Sequence, residues 1–298
     1  MSAQIIDGNE TSKQIKDELK LEVEALAKQG IVPGLAAVLV GNDAASEIYV
    51  TSKAKNCKKV GIYSEVIKRP AETTQQELYE LLDSLNQNPK ISGILLQSPI
   101  PKHLDEFAAC LRIDPIKDVD GFHPDNVGRL LIGEPRYQSC TPFGVIELLK
   151  RYKIEMKGKE VVIVGRSNIV GKPLAAMMMQ KWPATNATVT ICHSATRDIF
   201  AHTKRADVVV TALGKPEFLR GENLKDGAVV IDVGINRVED ASVEKGYRVV
   251  GDCHFESCAA KASWITPVPG GVGPMTIAML LTNTVMAARL QAEALSTN

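Results

Sequence analysis

A lysine on the inward face of a helix is the first residue of this chain that points to chemistry. The segment Ser46 to Val60 reads as a helix, and at about 100° per residue Tyr49, Val50, Lys53, Asn56, Cys57 and Val60 share one face. Lys55, Lys58 and Lys59 fall on the other, as a solvated face requires. Lys53 sits instead among residues that should point inward. A lysine drawn partly out of water gives up its proton more readily and can serve as a base or proton relay near neutrality. Tyr49, one turn earlier, is placed to stack on a flat ring or to hydrogen-bond beside it.

Three further sites carry usable groups. Gln97 ends the apolar run Ile91-Ser-Gly-Ile-Leu-Leu-Gln97 and precedes Ser98-Pro-Ile-Pro101. Ligands of open α/β sheets gather at the carboxyl ends of strands, although a polar residue there also reads as one leaving for solvent. In Asp118-Val-Asp120-Gly121 part of a calcium loop is present, but its other ligands and closing glutamate are missing, so no metal is expected. Asp118 reads as a turn residue; the carboxylate of Asp120 suits an amine-rich heterocycle. Thr266-Pro-Val-Pro269-Gly270-Gly271-Val-Gly273-Pro274-Met-Thr276 sets stiff prolines and three glycines before a helix, so that backbone can approach a ligand closely.

The stretch Val161-Val-Ile-Val-Gly165-Arg-Ser-Asn-Ile-Val-Gly171-Lys-Pro173 is an apolar strand, a turn and a helix start. Such a unit delivers a phosphate to a helix N-terminus, where N–H groups and the helix dipole favour an anion. The usual G-x-G-x-x-G is absent, because Ser167 and Val170 hold its second and third glycine positions. The next strand, Ala187 to Cys192, should end in an acid for the ribose of NAD. It ends in His193-Ser194-Ala195-Thr196-Arg197, with no acid before Asp198. Arg166 and Ser194 can instead face a 2′-phosphate, since a guanidinium pairs with phosphate oxygens. Arg197 reads as a solvated loop residue. The expectation is NADP rather than NAD.

These residues need elements to hold them. Helical and strand patterns alternate along the chain, which predicts an α/β protein with parallel sheets. Helices are expected over residues 11–28, 46–60, 74–86 and 142–151, and from Met275 to about Glu293 with Pro274 at the first helical position. Strands are expected over 34–40, 62–67, 91–97, 187–192, 207–212, 227–233 and 247–251, and residues 114–140 read as loop. The expected boundary near residue 140 separates two domains, 1–140 plus 275–298 and 141–274.

Lysine plus arginine equal aspartate plus glutamate, 35 each among 298 residues, so no net field recruits nucleic acid or an anionic membrane. The N-terminal residues lack a secretory pattern, and no run approaches the roughly 18 apolar residues of a membrane span. A soluble, cytoplasmic protein is expected. The six cysteines lack C-x-x-C spacing and read as free thiols; Cys253-His254 with Cys258 has no evident fourth metal ligand.

The strings Ser46-x-x-Tyr49-Val50-x-x-Lys53, Gly93-Ile-Leu-Leu-Gln97-x-Pro99-Ile-Pro101, Pro115-x-Lys117-Asp118-Val119-Asp120-Gly121, Gly165-Arg-Ser-x-Ile-Val-Gly171-x-Pro173 and Thr266 to Thr276 occur in order. Together they resemble the bifunctional methylenetetrahydrofolate dehydrogenase/methenyltetrahydrofolate cyclohydrolase family, nearly end to end. The resemblance implies a folate-binding catalytic domain, a Rossmann-type NADP-binding domain, and a last helix that returns to the first. It implies NADP-linked oxidation of 5,10-methylenetetrahydrofolate, then hydrolysis to 10-formyltetrahydrofolate, within one-carbon metabolism and purine biosynthesis. It makes Lys53 the principal catalytic residue, Gln97 its partner, Asp120 the anchor of the pterin and Tyr49 a stacking surface. Pro269, Gly270 and Gly273 would line the folate. Gly165, Arg166, Ser167, Val170, Gly171, Ser194 and Ile235 would bind the nucleotide. It further implies a homodimer through the nucleotide domain; with 298 residues, the formyltetrahydrofolate synthetase domain fused to some relatives is not expected. A shikimate-dehydrogenase-like enzyme, a non-catalytic NADPH sensor and a dehydrogenase lacking hydrolysis are the competing readings.

Overall fold

The computed structural model describes residues 2–244 and 246–296. The chain starts with β1 (Gln4–Ile5) and α1 (Gly8–Ala27), then β2 (Gly34–Val40), α2 (Ala44–Val60), β3 (Tyr63–Arg69), α3 (Gln75–Gln87), β4 (Gly93–Leu96), α4 (Glu106–Arg112) and α5 (Pro124–Ile132). It continues with α6 (Cys140–Arg151), β5 (Glu160–Val164), α7 (Gly171–Met178), β6 (Thr188–Cys192), α8 (Ile199–Thr203), β7 (Val208–Thr211), β8 (Val229–Asp232), β9 (Asn236–Glu239), β10 (Tyr247–Val250), α9 (Phe255–Ala259), β11 (Trp264–Ile265) and α10 (Val272–Ser296). Contacts divide it into two compact units, Lys13–Cys140 with Ile277–Asn298, and Met1–Ser12 with Thr141–Thr276.

In the first of these units the sheet runs β3-β2-β4, all parallel. Every residue of β2 is buried, as a central strand covered on both faces must be. Ala36, Val38 and Val40 pack with Leu78, Leu82 and Leu85 of α3, whose start carries a Thr74/Glu77 capping box. Behind β4, Ile94 N donates to Lys117 O at 2.7 Å, which adds the Lys117–Asp120 segment to the sheet. Gly93 allows this approach, since a Cβ there would lie 2.5 Å from Val119 Cγ1. Lys117 is buried and its Nζ donates to Leu85 O and Asn88 O at 3.1 and 2.9 Å, closing the C-terminal end of α3. Its burial pulls the ammonium below its ordinary pKa.

The region 114–140, read as loop, contains α5, capped by His123 and closed by Gly133 in the left-handed region. Asp118 does more than turn the chain: its buried Oδ2 accepts from His123 N and Asn126 Nδ2, each at 2.8 Å, and so fixes the start of α5.

The second unit holds a six-stranded parallel sheet in the order β1-β11-β8-β7-β5-β6. Val162, Val164, Val209, Val230 and Ile265 form its core with Leu219, Cys253 and Cys258. Residues 2–12, grouped by sequence with the first domain, cluster here, because Gln4 and Ile5 pair with Trp264 and Ile265. A two-residue strand has no period to read. Tyr247–Val250 is not a further strand of this sheet; it pairs antiparallel with β9 in a separate hairpin. The last helix starts at Val272, so Pro274 occupies its third position, where the missing N–H still costs no helical bond.

Candidate active site

The first unit brings Lys53, Gln97 and Asp120 into one group. Asp43 caps α2 through Ser46 N at 2.7 Å, and the helix turns Lys53 inward until 9% of it remains exposed. Lys55, Lys58 and Lys59 stay in solvent. Gln97 continues the β4 ladder through its N–H to Val38 O at 2.9 Å, which places its side chain at the carboxyl end of the sheet. Lys53 Nζ donates to Gln97 Oε1 at 3.0 Å. The Gln97 amide donates in turn to Ser98 O at 2.7 Å, which fixes its oxygen toward the lysine. Tyr49 is 46% exposed one turn earlier, with its ring open to a partner.

Asp120 ends the segment that the sheet gathers in. Burial pushes its carboxyl above the ordinary carboxylate range; the nearby charge of Lys53 pulls it back, and Asp118 pushes it further up. Cys140 also faces this carboxyl, and burial with the adjacent Asp120 drives its thiol well above the ordinary value. Cys140 entered the sequence reading only as a free thiol. Its place beside Asp120 depends on α10, where buried Asn283 donates to Val119 O at 2.8 Å and Gln138 O at 2.9 Å. No local pattern announces such a clamp. Next to it, the buried Gln138 Oε1 and Ser139 Oγ have no hydrogen-bond partner among the described residues.

The second unit holds the other expected set. Gly165 leaves β5 at φ +136°, and a Cβ there would come within 2.3 Å of Ala212 O. Gly171 opens α7 so close to the turn that its Cβ would lie 2.2 Å from Gly165 O. Ser167 Oγ accepts from Val170 N and Gly171 N at 3.1 and 3.4 Å, and Pro173 has no N–H. The helix end is thus largely satisfied from within, and the donors open to a phosphate lie in the Arg166–Ile169 turn rather than in α7.

Strand register settles where Arg166 and Ser194 emerge. Val164 pairs with Cys192, so each residue lies two positions beyond a matched pair of strand ends. Both are exposed, and Arg166 makes no hydrogen bond or ion pair with any described residue. The first acid after β6, Asp198, accepts from Ala201 N at 3.0 Å as the cap of α8. A guanidinium and a hydroxyl with no carboxylate free beside them suit a phosphorylated ribose, so the donor set fits NADP.

Ile235, Pro269, Gly270 and Gly273 meet around a cavity of about 230 Å³ that Asn9 and Asp232 also line. Gly8 and Asn9 hold that loop, each donating its backbone N–H to Gly270 O, at 2.9 and 3.1 Å. A larger cavity of about 430 Å³ opens at the amino-terminal ends of β5, β7, β8 and β11, the end of the sheet where ligands of this architecture do not bind. His254 caps α9 through Ser257 N at 3.4 Å, which accounts for a histidine between Cys253 and Cys258.

Known proteins match this arrangement throughout. Residues 6–120 fit the model of the tetrahydrofolate dehydrogenase/cyclohydrolase catalytic domain, and residues 139–292 that of the NAD(P)-binding domain of the same family. The bifunctional protein FolD of Chlorobium phaeobacteroides is 58% identical over 96% of this chain and 98% of its own. That of Chloroherpeton thalassium is 59% identical over 94% and 97%. Among solved structures, FolD from Campylobacter jejuni superposes with a TM-score of 0.92 at 46% identity, covering 97% of this chain and 100% of its own. FolD from Trypanosoma brucei, complexed with NADP cofactor and inhibitor, gives 0.92 at 41% identity over 98% and 99%. The chain therefore belongs to the tetrahydrofolate dehydrogenase/cyclohydrolase family.

Proposed function

We propose that this chain oxidises 5,10-methylenetetrahydrofolate to 5,10-methenyltetrahydrofolate with NADP+ and hydrolyses that product to 10-formyltetrahydrofolate, in one-carbon metabolism. The observation that carries the reading is an inward lysine bonded to Gln97 at 3.0 Å beside Asp120, in a chain of this family. Bound NADP+ supplies the ring that accepts a hydride. Arg166 and Ser194 hold its 2′-phosphate, Gly165, Ser167, Val170 and Gly171 form the turn for its diphosphate, and Ile235 gives it an apolar contact.

For the oxidation the protein's task is alignment, because a departing hydride needs no acid. Asp120 accepts hydrogen bonds from the amino group and ring nitrogen of the pterin, Tyr49 stacks on it, and Pro269, Gly270 and Gly273 present backbone to the folate. The hydrolysis moves protons. Water bonds to the methenyl carbon and yields a proton to the Lys53 amine, oriented by Gln97 Oε1. Lys53 then returns that proton to the ring nitrogen as its bond to carbon breaks, while the hydroxyl proton left on the added oxygen goes to solvent as the formyl C=O forms.

The test follows nucleotide reduction with NADP+ or NAD+ and resolves methenyl from formyl product, in the unsubstituted chain and in Lys53→Met. Fast reduction with NADP+ and accumulation of formyl product are expected. Lys53→Met should lower hydrolysis by about 10²–10⁴-fold and hydride transfer far less. Equal loss of both activities in the folded variant sinks the role given to Lys53. Methenyl product that decays only spontaneously would leave a dehydrogenase alone.

We also infer a homodimer through the nucleotide-binding unit. Its β6 is an edge strand with Ile191 exposed, the kind of edge a second copy covers. Sedimentation velocity reads this directly, and a monomer at micromolar concentration would refute it. We place the protein in the cytoplasm, where its formyl product would feed purine biosynthesis. Among the described residues no helix is long and apolar enough to cross a membrane, and cell fractionation is the check.

A further inference from the structure

We propose that Asp252 is a positioning residue for nucleotide binding, acting through the loop that follows β7; this rests on the NADP+ reading above. Asp252 is fully buried. Its Oδ2 accepts from Leu213 N at 2.6 Å and Gly214 N at 3.1 Å, and its Oδ1 from Lys215 N at 2.9 Å. Asn236 Nδ2 completes the set at 2.9 Å on Oδ1. Three successive backbone N–H groups on one anion make a nest, a concavity that elsewhere holds phosphates or other anions. Gly214, at φ +67°, supplies the left-handed residue that turns them inward. Here the nest is filled from inside the protein, so its geometry is fixed before any ligand arrives.

The anchor is itself anchored. Asp232 Oδ1 accepts from Asp252 N at 3.0 Å and Gly234 N at 2.9 Å, and its Oδ2 from Cys253 N at 2.8 Å. Two carboxylates thereby tie the loop after β7, the loop after β8 and the segment after β10 into one assembly. The neighbouring glycines make room for them. A Cβ at Gly234 would lie 2.4 Å from Asp252 Oδ1, and one at Gly251 1.9 Å from Asp232 Oδ2.

Strand order connects this assembly to the nucleotide. From β5 the sheet extends to β6 on one side and to β7 on the other, so the crevice for a dinucleotide lies between the loops after β5 and β7. The phosphate turn rests directly on the second loop, since a Cβ on Gly165 would meet Ala212 O at 2.3 Å. The loop therefore forms one wall of the proposed nucleotide site, and Asp252 holds it from behind without touching a ligand.

Asp252→Asn is the test, because an asparagine has one accepting edge and turns an N–H₂ against two of the four donors. Calorimetric titration should show NADP+ binding weakened by about tenfold, as for the loss of charged hydrogen bonds. The KM for NADP+ should rise in step, while the KM for the methenyl substrate in hydrolysis, which uses no nucleotide, stays within about threefold. Amide exchange at Leu213–Lys215 should accelerate without any ligand present. A folded Asp252→Asn that binds NADP+ as tightly as the unsubstituted chain overturns the proposal, as does an equal rise in both KM values. If that variant fails to fold, Asn236→Ala decides: it removes one donor to Asp252 and leaves the carboxylate in place. NADP+ binding weakened by about threefold supports the anchor, and unchanged binding overturns it. Absence of NADP+ binding by the unsubstituted chain would sink the functional reading and this inference together, whereas the exchange measurement judges the anchor alone.

Discussion

Burial and a neighbouring cation pull the Asp120 carboxyl in opposite directions, and burial is the stronger. A carboxyl whose folded pKa is raised binds its proton more tightly in the folded chain than in the unfolded one. Its contribution to stability is therefore best at low pH and falls as pH rises from about 4 toward the folded value, staying low above it. Asp120→Asn removes that cost, so melting temperature at pH 7 should rise by about 2–4 °C for each kcal/mol recovered. The two proteins should converge below pH 4. Folate affinity should fall, because the amide presents a donor where, in the proposed function, the pterin presents donors. A variant that melts lower than the parent at pH 7, measured by scanning calorimetry, contradicts this account. Lys53 was legible at this scale because one residue on the wrong face of a helical wheel needs no long-range information. Cys140 was not, since its place beside Asp120 is set by Asn283 from the last helix.

Strand ends and turns decide what the elements can hold. The proposed phosphate turn depends on Gly165, which combines φ +136° with backbone too close for a side chain. Gly165→Ala should cost about 2–4 kcal/mol through strain and overpacking. It should lower the denaturation midpoint and abolish NADP+ binding in what remains folded; a loss under about 0.5 kcal/mol would show that the turn shifts freely. Apolar runs such as Val161–Val164 and Leu35–Val40 gave away their strands, because a parallel strand covered on both faces has little choice of residue. The helix α5 stayed hidden behind Pro124, Asn126 and Gly128, whose local preferences favour a turn. What overrides them is tertiary: Asp118 holds His123 N and Asn126 from outside the helix. The pairing of β1 with β11 was illegible for a different reason, since two residues cannot show a period.

For the molecule as a whole, division into two units with separate sheets makes ligand effects local. A ligand stabilises only the state that binds it, by about 2.7 kcal/mol at a hundredfold excess over Kd. Within the fold, that free energy appears first in segments the ligand orders. Saturating NADP+ should therefore slow amide exchange in the Gly165–Gly171 turn, around Ser194 and in Leu213–Lys215. Exchange in the buried strand β2 should slow only through openings that also release the nucleotide, because none of its residues belongs to the proposed nucleotide set. NAD+ at the same concentration should protect these segments far less. It lacks the phosphate that the proposed function assigns to Arg166 and Ser194, and each charge-assisted hydrogen bond lost is about 1.5–3 kcal/mol. Balanced overall charge, 35 of each sign, sharpens the comparison, since no general attraction for anions favours the more negative nucleotide. Preference for NADP+ must then come from those few side chains. Equal protection by the two nucleotides would show that the ends of β5 and β6 do not read the 2′-phosphate, whatever else they bind.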